Sequence, residues 1–348
     1  MDPHYHTLTI TSIKEEVPGV KTFVFGGVEA RAISYLPGQY LTLVAKDAKG
    51  EEVRRSYSIT SSPALNEDLA VGVKRIDNGF LSRRLVDHAQ VGDQVQTIGA
   101  AGFFTLPEDV SAYKQLFFWA AGSGITPIYS LLKTVVHHFS EVKVVLVYSN
   151  HSPESTIYLE ELKQLADQFP DQLQVHFLFS ISRRLDQARL HKELLKQLVK
   201  KYALVSAAEI LCYVCGPENY RRLCLYGLRE VGVPAANIRQ ETFSTTKLLT
   251  KVTPPDTDPH TVTIQYNGQT HQLHPQFPDT ILQAAKKAGL SLPYSCEAGK
   301  CGNCAAVCLQ GKVWMSYNEV LTDRDIAQGL TLTCVGYPVG GDVELKIK

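Results

Sequence analysis

The chain has no excess of either charge: 35 lysines and arginines offset 35 aspartates and glutamates. That balance argues against a nucleic-acid or membrane-surface protein, since both draw on a basic surplus. The opening residues, MDPHYHTLTITSIKEE, contain no apolar h-region, so a signal peptide is not expected and a cytoplasmic location is. Long hydrophobic runs are missing as well. The most apolar stretch, residues 115–136, is broken by Gly122, Gly124, Pro127 and Lys133, which rules it out as a membrane span. The eleven histidines form no cluster at ligand spacing, and His137-His138 reads as surface. Internal repeats and low-complexity tracts are lacking too. With 348 residues, the chain has room for two or three domains, each with its own core.

Cysteine, by contrast, is plentiful. Eight cysteines in a chain with no secretory signal favour metal ligation over disulfides. Four fall into one pattern: Cys296-Glu-Ala-Gly-Lys-Cys301-Gly-Asn-Cys304, with Cys334 thirty positions further on. This C-x4-C-x2-C…C spacing is that of plant-type 2Fe–2S ferredoxins. Three thiolates on one loop can wrap one side of a small cluster, and the distant fourth closes it. Gly299 and Gly302 permit backbone conformations that bring amide N–H groups toward sulfide, and Ser295, Asn303 and Thr333 can add hydrogen bonds. A structural zinc site is the plainer alternative, but such sites pair two ligands two to four residues apart, twice. Only one such pair exists here.

The first hundred residues read as short strands at regular spacing: 7–13, 21–25, 40–45, 55–60 and 69–75. Strands so spaced predict an antiparallel barrel or sandwich. Within it, Arg55-Ser56-Tyr57-Ser58 places Arg55 and Tyr57 on one face by period-two geometry. A cation beside an aromatic ring could hold a phosphate and a flat conjugated ring; equally, it could be a solvated arginine beside a half-buried tyrosine. Val73-Lys74-Arg75 then ends a strand, Asp77-Asn78-Gly79 makes a turn, and Phe80–Leu85 opens a short helix with Ser82 in its first turn. A helix N-terminus after a glycine turn is an anion site.

From residue 115, strands alternate with helices, the sign of a parallel sheet. The apolar run Leu116–Ala121 suits a central strand, and Gly122-Ser-Gly124-Ile-Thr126-Pro127 follows directly, leading into an amphipathic helix to His138. Strand, glycine turn, helix is the order of a dinucleotide-phosphate site, although G-x-G-x-x-P departs from the usual fingerprint. Further strands are expected at 142–148, 174–180 and 209–214, and helices at 156–169 and 190–201. Cys212 and Cys215 stand three apart on a strand, so their thiols point to opposite faces; Cys212 reads as core, and Cys215-Gly216-Pro217 opens toward a ligand. Cys224 and Cys308 read as packing residues. Residues 244–260, rich in Thr, Pro, Lys and Asp, read as a linker. Beyond it come a strand from Thr261, an Asn267-Gly268 hairpin turn, a helix over 280–288 ended by Gly289, and the cluster loop.

These motifs in this order resemble the ferredoxin–NADP reductase superfamily, in the subgroup with a plant-type ferredoxin fused at the C-terminus; among these, the chain is most similar to the phenylacetyl-CoA oxygenase reductase type of bacterial oxygenase reductase components. The resemblance spans nearly the whole chain. It implies a multidomain α/β and β architecture: an antiparallel β-barrel flavin domain (1–107), a parallel α/β nucleotide-binding domain (108–243), a linker (244–258) and a β-grasp 2Fe–2S ferredoxin domain (259–348). It implies roles as well. Arg55 would bind the flavin pyrophosphate with Lys74 nearby, Tyr57 would pack on the isoalloxazine, and Ser58 would lie near flavin N5. Gly79 and Ser82 match a Gly-x-x-Ser turn capping the pyrophosphate. Gly122, Gly124, Thr126 and Pro127 match the nicotinamide-nucleotide loop. Cys215, Gly216 and Pro217 match the segment beside the nicotinamide, Glu241 and Phe243 a Glu-x-Phe that closes the flavin site, and the four cysteines the cluster ligands.

Two places depart from the family pattern. Asn150-His151 stands where relatives often carry Asn-Arg, and a Ser-Arg pair is displaced to Ser182-Arg183-Arg184. A guanidinium fork matches a 2′-phosphate, so NADPH is expected, with NADH as the alternative, and FAD is expected over FMN. A nicotinamide gives up two electrons as hydride, a 2Fe–2S cluster takes one at a time, and a flavin mediates between them. The expected path runs from NAD(P)H through FAD and the cluster to a protein acceptor, an oxygenase or hydroxylase component, with Ser58, Cys215 and Glu241 shaping the reacting centre. Between Pro259 and Lys348, seven acidic and seven basic residues give no steering field toward that acceptor. The competing readings are a stand-alone flavodoxin or ferredoxin reductase or diaphorase and, from another class, a non-enzymatic redox sensor.

Overall fold

The computed structural model describes residues 5–243 and 252–347. Of the expected linker 244–258, residues 244–251 lie outside the described residues. The chain divides into two compact units, Met1–Thr242 and Phe243–Lys348.

The first unit begins with six strands, β1 (His6–Val17), β2 (Val20–Gly26), β3 (Tyr40–Lys46), β4 (Glu52–Ser58), β5 (Ala70–Lys74) and β6 (Gln94–Ala101), with a short helix α1 (Val28–Ala32) after β2. They form one antiparallel sheet in the order β4-β3-β6-β1-β2-β5. A bridge between Ile59 and Val71, with Thr60 N–H donating to Ala70 O at 2.9 Å, joins the two edges and closes the barrel. Closure removes free sheet edges. Inward residues alternate as a half-buried sheet requires: Leu8, Ile10, Phe23, Phe25, Leu41 and Leu43 are almost wholly buried. β1 outruns its hydrophobic pattern by four residues, because bulges at Ile10/Ser12 and Glu15/Val17 absorb the polar Lys14-Glu15-Glu16. After β5, α2 (Phe80–Arg83) continues as a π-helical turn over Arg84–His88, longer than the sequence indicated.

The parallel sheet comprises β7 (Gln115–Ala121), β8 (Lys143–Asn150), β9 (Leu173–Phe179), β10 (Ile210–Cys215) and β11 (Ile238–Glu241) in the order β11-β10-β7-β8-β9. Helices α3 (Ile125–His138) and α4 (Leu159–Gln168) pack on one face; α6 (Lys192–Tyr202) and α7 (Glu218–Glu230) pack on the other, and a short α5 (Leu185–Ala188) follows β9. β7 is apolar from Leu116 onward because both faces are covered: Leu116, Phe118 and Ala120 face α3, while Phe117 and Trp119 face α7. Each such large side chain, fully buried, contributes about 1.5–3 kcal/mol. Cys212 and Cys215 likewise lie in opposite cores.

The expected amphipathic helix, α3, differs from its pattern. Its polar residues Thr126, Ser130, Lys133 and Thr134 are buried too, because they face the barrel instead of solvent. Ser130 Oγ donates to Ser61 O at 2.6 Å, Ser62 and Thr134 hydroxyls meet at 2.7 Å, and Lys133 Nζ donates to Glu67 at 2.7 Å. Burial pulls the Lys133 amine below its usual range, with the Glu67 carboxylate opposing. Because Lys133 is only 11 % exposed and Glu67 35 %, replacing Lys133 with methionine strands a partly buried carboxylate. The expected cost is about 1–3 kcal/mol, below the value for a fully buried pair, read as a lower unfolding midpoint in urea with unchanged slope.

The second unit is a five-stranded mixed sheet of β-grasp type, ordered β13-β12-β18-β14-β16, from β12 (Val262–Tyr266), β13 (Gln269–Leu273), β14 (Ala305–Gln310), β16 (Leu330–Leu332) and β18 (Val343–Lys346). β15 (Val313–Met315) and β17 (Gly336–Pro338) form a separate pair, and α8 (Ile281–Lys287) and α9 (Asp323–Ala327) complete it. The hairpin turn is as read: Asn267 and Gly268 both have positive φ, 52° and 73°, the type I′ pattern. α8 starts on a capping box between Thr280 and Gln283 and stops before Gly289 at φ 74°. Among the described residues, no helix is long and apolar enough to cross a membrane.

Candidate functional site

The crevice at the switch point of the parallel sheet comes first. Chain connections leave β7 toward β8 on one side and reach β10 on the other, which leaves a gap above their carboxyl ends. Gly122 and Gly124 occupy this gap in a single 3-10 turn leading into α3. Gly122 has φ 53°, a left-handed backbone that glycine adopts freely. Gly124 is required for a different reason: a Cβ there would stand 2.2 Å from Cys215 O and 2.8 Å from Gly216 N. Gly216 packs as tightly, its Cβ position 2.9 Å from Ala121 Cβ and 3.1 Å from the Tyr220 ring. The two loops therefore share one floor, with Pro217 capping α7 and Pro127 in the first turn of α3. Thr126 Oγ1 donates to Ser123 O at 3.0 Å, and its methyl abuts Gly72 of β5, so this hydroxyl serves the turn.

Glu241 ends β11 in register with Cys215. Its Oε2 is buried and makes no hydrogen bond, and burial raises the carboxyl from 4.5 to about 8. The Cys215 thiol is pushed up by burial and then by the Glu241 charge. An unfolded Glu241 ionises above about pH 4.5, while the folded one stays protonated to about 8. Its contribution to stability is thus full below 4.5 and lost as pH rises toward 8. Glu241→Gln should gain stability relative to the unsubstituted protein progressively across that window and level off above it, measured by urea melts at several pH values.

Three further polar tips are buried around this crevice: Ser149 Oγ and Asn150 Nδ2 at the end of β8, and Tyr220 OH in the first turn of α7, which faces Ser149. No motif marks Tyr220 or Ser149 in the sequence. The only signal there is position, at the carboxyl end of a strand or just after Cys-Gly-Pro. Ser182, Arg183 and Arg184 sit on the loop after β9, the edge strand beyond β8. Ser182 Oγ accepts from Arg184 N at 3.2 Å, and Arg184 lies 3.6 Å from Asp186, both exposed. His151 Nδ1 and Ser180 Oγ, 3.0 Å apart, tie the ends of β8 and β9.

On the barrel, Arg55 and Tyr57 share one face of β4, Arg55 exposed and Tyr57 half-buried, while Ser58 is buried opposite Tyr40. Burial raises the Tyr57 phenol, with Arg55 opposing. Gly79 and Ser82 form one turn: Ser82 Oγ accepts from Ile76 N at 3.2 Å and donates to Gly79 O at 3.5 Å, and a Cβ on Gly79 would strike that oxygen. Lys74 ends β5 in solvent, whereas its neighbour Arg75 is engaged by Asp87 and Asp77. Phe243 is exposed.

In the second unit the four cysteine sulfurs converge. Cys296 contacts Cys301 and Cys334, and Cys304 contacts Cys334. The Cys296 thiol is lowered by those contacts and by backbone N–H groups of Lys300 and Ala298, the latter 3.4 Å from Sγ. Gly299 and Gly302, at φ 69° and 80°, buckle the loop. Thr333 clamps it, both N–H and Oγ1 donating to Cys304 O at 3.1 Å. Among the described residues, no three His, Cys, Asp or Glu side chains are arranged to hold a single metal ion. Four thiols in a contact chain with two at each end suit a binuclear centre with two thiolates per iron better than a zinc site. The donor set therefore fits a 2Fe–2S cluster, and the buried Glu241 Oε2 beside the crevice, which makes no hydrogen bond, fits a ligand that would satisfy it.

Comparison with known proteins finds matches along nearly the whole chain. Residues 7–106 match the oxidoreductase FAD-binding domain, 118–224 the oxidoreductase NAD-binding domain, and 264–339 the 2Fe-2S iron-sulfur cluster binding domain. The chain is 33 % identical to the ferredoxin reductase component of 3-ketosteroid-9-alpha-monooxygenase of Mycobacterium tuberculosis, over 98 % of its own length and 96 % of the relative's. It is 31 % identical to one of the subunits of 1,2-phenylacetyl-CoA epoxidase of Escherichia coli K12, over 97 % and 96 % of the two chains. Its fold is similar to that of phthalate dioxygenase reductase (TM-score 0.59, 21 % identity, 99 % and 98 % of the two chains). It also matches an intact type IV self-sufficient cytochrome P450 monooxygenase (TM-score 0.72, 22 % identity), covering 99 % of this chain and 41 % of that longer one. The chain belongs to the ferredoxin–NADP reductase superfamily, among the oxidoreductases that join FAD-, NAD(P)H- and 2Fe–2S-binding domains in one polypeptide and serve as oxygenase reductase components.

Proposed function

We propose that this protein is the NADPH-dependent reductase of a cytoplasmic oxygenase system and delivers single electrons to a separate terminal oxygenase or hydroxylase component. The observation that carries this reading is the pairing, in one chain, of a switch-point crevice with a four-thiol cluster loop. Bound FAD accepts an electron pair as hydride and releases electrons singly, and a 2Fe–2S cluster carries them one at a time. We assign residues 1–107 to flavin binding, 108–243 to nucleotide binding and 259–348 to the cluster, joined by a linker at 244–258.

Each residue then has a stated task. Arg55 and Lys74 supply positive charge to the flavin pyrophosphate, with the Gly79–Ser82 turn beside it, and Tyr57 offers its ring to the isoalloxazine. Ser58 is the residue we assign to the N5 side of the flavin. Gly122, Gly124, Thr126 and Pro127 with Gly216 and Pro217 form the nicotinamide-nucleotide floor. Cys215 and Glu241 line the nicotinamide. With its carboxyl raised to about 8, Glu241 is protonated at neutral pH, so it can offer a proton donor to a bound nicotinamide without placing a full negative charge beside Cys215. Arg183 and Arg184 are offered to the 2′-phosphate, with Ser182 in the same turn; both guanidinium groups are exposed, which supports NADPH over NADH.

The test is anaerobic titration of the purified protein with NADPH and, separately, NADH, followed by visible absorbance and low-temperature EPR. The expected result is bleaching of the flavin bands and a rhombic reduced-cluster signal, with NADPH effective at about tenfold lower concentration, the worth of one charge-assisted contact. Flavin reduction without a cluster signal would overturn the reading. Equal response to NADH would remove the role given to Arg183 and Arg184.

A further inference from the structure

Helix α8 braces the cysteine ligands from both ends. In its first turn, the Leu282 N–H donates to Thr333 O at 3.0 Å, one residue before Cys334. In its last turn, Lys286 forms an ion pair with Glu297, one residue after Cys296. The Lys286 ammonium also lies 3.5 Å from the centroid of the Tyr294 ring, just upstream of the loop. Glu297 has φ 50°, a left-handed backbone uncommon for any residue but glycine. Such a turn persists only where its surroundings hold it, and the ion pair from Lys286 is one such hold. Beyond the turn, the Ala298 N–H points at Cys296 Sγ, 3.4 Å away. Lys286, Glu297, Ala298 and Cys334 line one groove of about 300 Å³, so the ion pair sits beside the ligands without being one.

We propose that Lys286 is a positioning residue for the iron–sulfur centre: its pairing with Glu297 holds the left-handed turn that aims the Ala298 N–H at the Cys296 sulfur, and so sets the reduction potential. Hydrogen bonds to cluster sulfurs and net charge around the cluster both tune that potential. An N–H aimed at sulfur favours the reduced form, which carries one more negative charge. With Lys286 gone, that hold on the turn is lost, the N–H swings away, and a positive charge is removed from beside the cluster. Both changes disfavour reduction. The inference rests on Cys296 being a cluster ligand.

The experiment is an EPR-monitored redox titration of the holoprotein, with flavin and iron content measured on each variant. Lys286→Met should shift electron sharing between flavin and cluster about tenfold toward the flavin, which for a one-electron couple is about 59 mV. Lys286→Arg, which keeps the charge and the pair, should stay within about twofold. Glu297→Gly supplies a residue that takes positive φ unaided. Adding Lys286→Met in that background should shift the potential far less than it does alone, the mark of two residues acting through one turn. An unchanged potential in Lys286→Met would overturn the proposal. So would an equal shift in both backgrounds, because Lys286 would then act only as a distant charge. If the unsubstituted protein shows no reduced-cluster signal with dithionite, the ligand assignment itself fails, an outcome distinct from the other two.

Discussion

Replacing Gly124 with alanine is expected to lower kcat/KM for NADPH about 100-fold, with flavin and iron content unchanged. The added methyl would stand 2.2 Å from Cys215 O and 2.5 Å from Cys215 C, backbone atoms at the end of a buried central strand that cannot swing aside. Either β7 and β10 splay at their carboxyl ends or the Gly122–Gly124 turn lifts. Both displace the floor proposed for the nucleotide by a large fraction of an ångström. A misplacement near 1 Å is worth about 100-fold in rate, and overpacking of this kind costs about 1–3 kcal/mol in stability besides. Gly122→Ala is the control. A Cβ at Gly122 meets nothing within 4 Å, so only the strain of φ 53° opposes it, about 1–2 kcal/mol. Stopped-flow flavin reduction separates the two. If Gly124→Ala reduces its flavin within threefold of the normal rate, the shared floor of the two loops is not where the nucleotide lies.

The second large effect is expected from Cys304→Ser. Cys304 is buried and sits where the cluster loop is tied to the returning strand segment: its carbonyl accepts from both the Thr333 N–H and hydroxyl at 3.1 Å, next to Cys334. Those backbone bonds do not depend on the sulfur, so the unit should still fold. The cluster should not survive, since outer-shell changes alone cost about 10–100-fold in metal affinity and this removes a ligand. The variant should bind FAD and reduce ferricyanide with NADPH at the normal rate, yet lose acid-labile sulfide, the EPR signal and electron delivery to a protein acceptor by about 100-fold or more. Full iron content in Cys304→Ser would strike Cys304 from the ligand set. The same change at Cys308, whose sulfur lies 3.4 Å from Gln310 O within its own strand end, should leave the cluster intact.

These two cases mark how far the residues could be read without the fold. Cys304 could be proposed as a ligand from the sequence because plant-type 2Fe–2S ferredoxins place their cysteines at a recognisable spacing. The strands were legible where alternation is strict, as at Leu8, Ile10, Phe23 and Phe25, and the hairpin at Asn267-Gly268 because few residue pairs tolerate two positive φ values. β1 overran its pattern because a bulge resets the alternation locally, and α3 looked solvent-facing because a buried polar stripe and an exposed one have the same sequence.

By itself, then, the sequence determined the order of the three domains, the central strand β7 with its glycine turn, and the four cysteines, because local chemistry dictates residue type at those positions. Only the tertiary structure decided which of those features meet. It gave Gly124 its contact with Cys215, gathered the buried polar tips of Ser149, Asn150 and Tyr220 around one crevice, turned Lys133 toward Glu67, and set Lys286 against the left-handed Glu297. Each of these joins residues on different strands, helices or loops. Their proximity is fixed by strand order and helix packing, long-range properties that residue spacing along a chain does not carry.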